Sequence, residues 1–444
     1  MKRVILLGAI APFCDLVYEM EHMGIYPVIC DYYSDAPAKK MGYPAYDIST
    51  MDLEKLLQIA KFHHVDGVMS AFSDRNLFAA YEIGKQLDLP QLFELNKIEL
   101  LTDKRKMKAF FLKARLPVIK YCILKQGFEV DDLKQMHFPM VVKPVDAYGS
   151  KGIFVCNNVA QIRAHFQDVI CESLKYQDQI IVEEFYLGDE ISINAWVKDG
   201  HPYLTCIYDV IRNYGSDIQL AAVSFPSKYV SGNTVFFEKL LEHIVKKCKI
   251  QNGPVTLQCF IGNEGIKIGE LLYRLAGGST YLYTTYLGGP NLAKMQIQYS
   301  IGNPIDYQNL ETYKLEEQGI GDGIVYFDIQ FMTLKQGKIY YSFTGTDIEE
   351  KINGCVDFRL YFASGTFVHN TSKNGQLLAR GIFKLEMKND HVYEQFLEQL
   401  EKEIQIYNEG GSCISFIRKP DHFSYSRRYH IDWSFMNKWG RDNQ

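Results

Sequence analysis

The chain has 444 residues, 47% of them hydrophobic and 23% charged, with a formal net charge of −5. That leaves room for roughly two to four domains with a sizeable core. The acidic balance argues against a nucleic-acid binder, whose phosphate contacts require a basic excess.

The opening apolar run, residues 4–7, is too short for a signal peptide. No run approaches the ~20 apolar residues of a membrane span. A cytoplasmic location is therefore expected, with no membrane partner. Ten cysteines are scattered without a CxxC pair, which predicts free thiols in a reducing compartment.

In chain order, residues 4–7 predict a strand ending at Gly8, residues 12–23 a helix, and residues 26–30 a second strand closed by Asp31. An amphipathic stretch over 52–62 leads to a short strand at 65–70 and a helix at 74–87. Strands alternating with helices imply a parallel, doubly wound sheet ending near Pro90. Gly8 lies where a dinucleotide fold places its glycine turn, but the segment lacks GxGxxG, so Asp31 is not expected to hold a ribose.

From Thr102 the pattern changes. A helix opens there, with Thr102 or Asp103 as N-cap. Strands follow at 118–124, 139–143 and 152–156, then a helix at 158–175 and a strand at 180–184. Strands 191–197 and 202–208 flank a turn, helix 233–248 follows, and a hairpin pairs 255–260 with 266–272. After about residue 350 come strands 355–360 and 379–386, helix 391–406 and an aromatic, basic tail. The tail is expected to dock on the body or on a second copy of the chain, which allows a homodimer.

The segment Met140-Val-Val-Lys143-Pro-Val-Asp-Ala-Tyr-Gly-Ser150-Lys-Gly152 reads as a strand ending in lysine, then a glycine loop. A lysine and open backbone N–H groups at such a turn suit a polyphosphate. About forty residues later comes Val182-Glu183-Glu184-Phe-Tyr186-Leu-Gly-Asp-Glu190. Glu270, Leu272 and Arg274 share one face if the hairpin stays extended, with Gln258 nearly opposite Glu270.

With Asp103-Lys104 at the helix start and Gly277-Gly278 after Arg274, this order resembles the ATP-grasp superfamily. The likeness is to its PurK-like and carbamoyl-phosphate-synthase-like carboxylate–amine ligase branch and covers roughly residues 2–350. It implies an α/β and α+β fold: a Rossmann-like domain (1–100), a two-lobed ATP-grasp domain (101–350, lobes about 115–186 and 187–350) and a C-terminal α+β segment (351–444).

The resemblance also implies roles. ATP and Mg²⁺ are the expected cofactors. Lys104 and Lys143 would contact ATP phosphates, with Lys143 also near the adenine edge. Ser150 and Gly152 would close over the phosphates. The backbone at Glu183, Glu184 and Tyr186 would read the adenine, and Glu190 would hold the ribose. Glu270 would bind Mg²⁺, Arg274 would steady the substrate carboxylate or acyl phosphate, and Arg212 would reach the γ-phosphate.

Two departures stand out. Leu272 replaces the asparagine of the family's Glu-x-Asn-x-Arg, and Gln258 replaces an acidic ligand, so the metal set is weakened; Glu264 or Asp209 could substitute. The implied activity is ATP-dependent joining of a small-molecule carboxylate to an amine through an acyl phosphate. The alternatives are a nucleotide-binding sensor or scaffold and a phosphotransferase. Loops 212–232 and 279–290 are expected to give the acceptor pocket a partly aromatic wall.

Overall fold

The computed structural model describes residues 1–147, 152–214, 218–277, 280–317, 323–369, 375–420 and 423–443. The N-terminal domain holds a parallel sheet in the order Ala45–Asp47, Tyr26–Asp31, Arg3–Leu7, Gly67–Ser70. Residues 4–7 are fully buried because both faces of their strand are covered. Val4 and Leu6 pack towards helix Pro12–His22, and Ile5 and Leu7 towards helices Leu53–Phe62 and Asp74–Gln86. This two-sided burial is what makes a parallel strand read as a continuous apolar run. Asp31 spends its carboxylate on the amides of Ala9 and Tyr33, both at 2.8 Å, which explains it without a nucleotide.

Helix Lys104–Lys113 begins at Asp103, whose Oδ1 accepts from the amides of Arg105 (3.0 Å) and Lys106 (3.4 Å). Thr102 instead ends a preceding helix, Leu95–Thr102. A four-stranded antiparallel sheet follows, in the order Tyr121–Lys125, Gln179–Glu184, Met140–Pro144, Phe154–Cys156. Helix Val159–Cys171 covers it, capped by the Asn158 side chain.

The larger sheet is antiparallel and runs Gly265–Leu272, Gly253–Gly262, Gly188–Lys198, His201–Tyr214, Ile218–Phe225, Ile324–Thr333, Gln376–Glu386, Cys355–Leu360. It crosses the boundary expected at residue 350. Gln376–Glu386 hydrogen-bonds to Ile324–Thr333 and carries Cys355–Leu360 on its other side, so these strands of the C-terminal α+β segment extend the sheet. The reason is edge satisfaction: without them the Ile324–Thr333 ladder would be unpaired on one side.

The tail lies on helix Thr234–Cys248. The Trp433 ring stacks on Phe236 at 5.3 Å, and its Nε1 donates to Asn233 at 3.0 Å. Trp439 stacks on His243 at 3.8 Å. Among the described residues, no helix is long and apolar enough to cross a membrane.

Candidate nucleotide and acceptor site

A cavity of about 350 Å³ opens between the smaller antiparallel sheet, the first strands of the larger one and the N-terminal domain. Lys143 reaches it because the strand Met140–Pro144 is antiparallel to Gln179–Glu184, with Val141 opposite Glu183. Lys143 Nζ lies 2.9 Å from Glu183 Oε2 and 3.5 Å from Glu270 Oε1. Lys104 Nζ lies 3.9 Å from the same Glu270 oxygen and donates to the Ala147 carbonyl at 2.6 Å. Helix Lys104–Lys113 is thereby tied to the start of the glycine loop.

Charge sets the protonation states. Burial pushes the Glu183 carboxyl up, but Lys108 and Lys143 together outweigh it and hold it at about 2. Burial likewise raises the Glu270 carboxyl, and Lys104 with Lys143 brings it below the usual range. Burial lowers the Lys143 ammonium, yet Glu183 and Glu270 leave it raised overall. Both carboxylates are therefore ionised near neutrality. Within this cluster Lys104, Lys108 and Lys143 stand against Glu183 and Glu270.

The base of the glycine loop is held from below. Asp146 accepts from the amides of Leu174 and Lys175, both at 2.8 Å. Gly152 takes a left-handed conformation (φ 66°) that favours glycine, and a Cβ there would crowd Pro144 Cγ at 3.0 Å. Ser150 lies outside the described residues.

Alternation along Gln179–Glu184 separates the paired glutamates. Glu183 faces the lysines. Glu184 turns to His137 Nδ1 (2.9 Å) and Lys120 (3.6 Å), so its carboxylate is spent elsewhere. The Tyr186 hydroxyl donates to the Gly265 carbonyl at 2.6 Å and bridges the two sheets. Gly188 and Gly262 follow for a steric reason: a Cβ on Gly188 would sit 2.3 Å from the Ile261 carbonyl oxygen.

Glu190 and Arg212 meet each other in the cavity wall. Arg212 Nε donates to Glu190 Oε2 at 2.8 Å, and Nη2 to Oε1 at 2.6 Å. Arg212 is thus engaged in a bidentate pair with the residue expected to hold a ribose.

On the hairpin, Gln258 lies directly opposite Glu270, and Leu272 opposite Thr256. Gln258, Glu270, Leu272 and Arg274 all line the cavity, with Arg274 two residues beyond the strand, which ends at Leu272. Neither substitute carboxylate joins them. Asp209 is buried on the hydroxyls of Ser227 (2.5 Å) and Ser224 (3.3 Å), and Glu264 is in the hairpin turn beside Lys267 at 3.4 Å. No group of three His, Cys, Asp or Glu with metal-binding geometry exists among the described residues. Glu270 and Gln258 face each other across the hairpin in the cavity wall.

Two residues were missed by sequence reasoning. Lys108 lies one helical turn after Lys104 and is fully buried, with Nζ 2.9 Å from Glu183 Oε1. The i, i+4 spacing was the available signal. Asp74 comes from the N-terminal domain and pairs with Arg274 through two contacts of 2.8 Å. A pairing across 200 positions leaves no local signal. Among the described residues, loops 212–232 and 279–290 bring no aromatic ring to the cavity, and its aromatic side chains come from other segments. Tyr281, Tyr283 and Tyr229 are buried in the packing, Phe225 stacks on Tyr283 at 4.0 Å, and the aromatics at the cavity are Phe72, Phe185, Tyr186, Tyr208 and Phe260.

The family model for the ATP-grasp domain matches residues 136–280. These span Lys143, the paired glutamates and the hairpin that carries Gln258 and Glu270. The chain therefore carries an ATP-grasp domain on an α/β architecture of that family. Dapdiamide A synthase of Enterobacter agglomerans is 24% identical over 178 residues, covering 37% of this chain and 41% of that protein.

Among solved structures, the L-amino acid ligase of Bacillus licheniformis superposes with a TM-score of 0.70 at 16% identity, covering 92% and 99% of the two chains. The biotin carboxylase domain of Hydrogenobacter thermophilus 2-oxoglutarate carboxylase, in complex with MgADP, ADP and bicarbonate, gives 0.71 at 15% identity and 90% and 89% coverage. The chain spans about half the length, or less, of the curated relatives it matches, 41% and 47% for the first two. At these identities the structural likeness establishes the fold.

Proposed function

We propose that the protein is an ATP-dependent carboxylate–amine ligase. The observation carrying this reading is the convergence of Lys104, Lys143 and Glu270 within 3.9 Å on one wall of the cavity that Arg274 closes. A triphosphate carries close to four negative charges, and two lysines with a metal are a suitable counter-charge.

The donor set fits the nucleotide. Lys104 and Lys143 would meet phosphate oxygens, Gly152 would lie beside them, and the main chain from Glu183 to Tyr186 would face the base. Glu190, steadied by Arg212, would receive the ribose hydroxyls. Glu270 and Gln258 would hold one Mg²⁺, which keeps waters and takes phosphate oxygens for its remaining positions. When bound, the metal supplies charge neutralisation on the β- and γ-phosphates.

The chemistry needs no protein nucleophile. A substrate carboxylate oxygen attacks the γ-phosphorus, and the bond to the β-phosphate oxygen breaks, releasing ADP. The amine nitrogen then attacks the acyl carbon, the carbon–oxygen bond to phosphate breaks, and the nitrogen gives up a proton. The protein positions the reactants, neutralises charge and excludes water.

The uncharged Gln258 and Leu272 favour a second reading, a nucleotide-binding protein without turnover. ADP release measured with Mg²⁺ and paired carboxylate and amine panels separates the two. Release that depends on both partners supports the ligase; nucleotide binding with no release across the panel supports the second reading. A stable phosphorylated product without joining would identify a phosphotransferase.

A further inference from the structure

The Arg274–Asp74 pair leaves a specific set of groups unspent. A guanidinium has five N–H donors in a fixed fork. Asp74 takes the Nε donor and one on Nη2, each at 2.8 Å, and the Leu275 carbonyl takes one on Nη1 at 3.1 Å. Among the described residues, one N–H on each Nη has no acceptor. Each Asp74 oxygen accepts one bond from Arg274 and keeps acceptor capacity. Both side chains line the cavity and are largely withdrawn from water, at 7% exposure for Arg274 and 18% for Asp74.

The placement is built in. Asp74 follows Phe72, which takes a left-handed conformation (φ 63°) that bulky residues rarely adopt. Phe72 is held there by an edge contact to Phe13 at 5.1 Å and a stack on Tyr281 at 5.5 Å. The N-terminal domain thus contributes a carboxylate to the acceptor end of the site.

We propose that this pair is the subsite for a zwitterionic α-amino acid, whose carboxylate meets the two open guanidinium N–H groups and whose ammonium meets Asp74. The proposal rests on the ligase reading and names its substrate class. A simple carboxylate approaching Arg274 feels the like charge of Asp74 on the other edge of the same guanidinium, so the neutral pair offers it little net attraction. An α-amino acid presents opposite charges a few bonds apart and complements both halves of the pair. A site built for that ammonium leaves Asp74 uncompensated when an analogue lacks it.

The test is calorimetric titration of the Mg²⁺–AMP-PNP complex of the full chain with a panel of L-amino acids and their des-amino counterparts, alanine against propionate among them. Hydroxamate formation in hydroxylamine is followed in parallel with ATP. At least one amino acid should bind about ten- to hundredfold more tightly than its des-amino partner. D74N should shrink that ratio towards one in a protein that still binds Mg²⁺–AMP-PNP.

Equal binding of the two classes by the unaltered protein, or no binding of either, overturns the proposal. So does a ratio unaffected by D74N. The wild-type comparison stands alone if D74N does not fold. Amino-acid binding with an Asp74-dependent ratio but no hydroxamate would sink the ligase reading and leave this subsite standing.

Discussion

Lys108 and Glu183 form an ion pair at 2.9 Å in which the lysine is wholly shielded from water. Glu183 is held on its other oxygen by Lys143 at 2.9 Å. Lys108 thus balances a carboxylate that would otherwise claim Lys143 for itself. It leaves Lys143 with positive charge to offer a phosphate. Burial lowers the Lys108 ammonium, and Glu183 opposes that shift.

Removing Lys108 takes away one of the two cations that compensate the buried Glu183 carboxylate. Lys108→Met should cost on the order of 3 kcal/mol of stability. Lys108→Met combined with Glu183→Gln should recover much of that, because no ion is then left alone. Denaturant midpoints of the four proteins give the coupling. A single variant as stable as the parent would contradict the charge-balancing role.

Leu272 lines the cavity beside Glu270. Leu272→Asn places an amide oxygen on the metal face, and the Mg²⁺ concentration that half-saturates nucleotide binding should fall severalfold. Magnesium titrations at fixed nucleotide check this. No change would mean that position 272 does not face the ion.

Much of this architecture was legible in the residues. The alternation of apolar strands and helices before residue 90 gave the parallel domain, because two-sided burial writes an unbroken apolar run. Lys143 and Glu270 were singled out by their place near strand ends, and both line the cavity; Glu183 was read for its backbone alone, and its side-chain pairs with Lys108 and Lys143 were not anticipated. Gln258 opposite Glu270 followed from hairpin counting. The strand Ile324–Thr333 was missed, since its alternation is blurred by burial on both faces. Asp74 and the bidentate Glu190–Arg212 pair could not be seen, because ion pairs are chosen by tertiary approach and not by spacing.

The tail is predicted to be a stabilising strap. Trp433 covers Phe236 and Phe237 and donates to Asn233. Trp433→Ala should destabilise the protein by about 2–3 kcal/mol, somewhat less than a fully buried tryptophan would. Thermal unfolding reads the loss. An unchanged midpoint would place the tail among dispensable surface segments.

Asp209 gives the stability a pH dependence. Burial raises its carboxyl to about 6, against the attraction of Lys228 and the Ser227 hydrogen bond. The unfolded value is about 3.9, so the folded state binds this proton more tightly. The stability from this group is full below about pH 4 and is lost as pH rises through about 6. Relative to Asp209→Asn, the parent should lose about 1–3 kcal/mol between those limits. Denaturant unfolding at pH 4.5 and pH 7.5 (about the two ends of the window) measures it. A parent-minus-variant difference that does not change with pH would contradict the assignment.

The central claim is that Lys143 meets the phosphates of a nucleotide held in this cavity. Calorimetric titration of Mg²⁺–AMP-PNP into the unaltered protein and into Lys143→Ala tests it most directly. Loss of a charged contact worth roughly 1.5–3 kcal/mol predicts affinity lower by about ten- to hundredfold. Equal affinity in the two proteins would contradict the claim and move the nucleotide elsewhere.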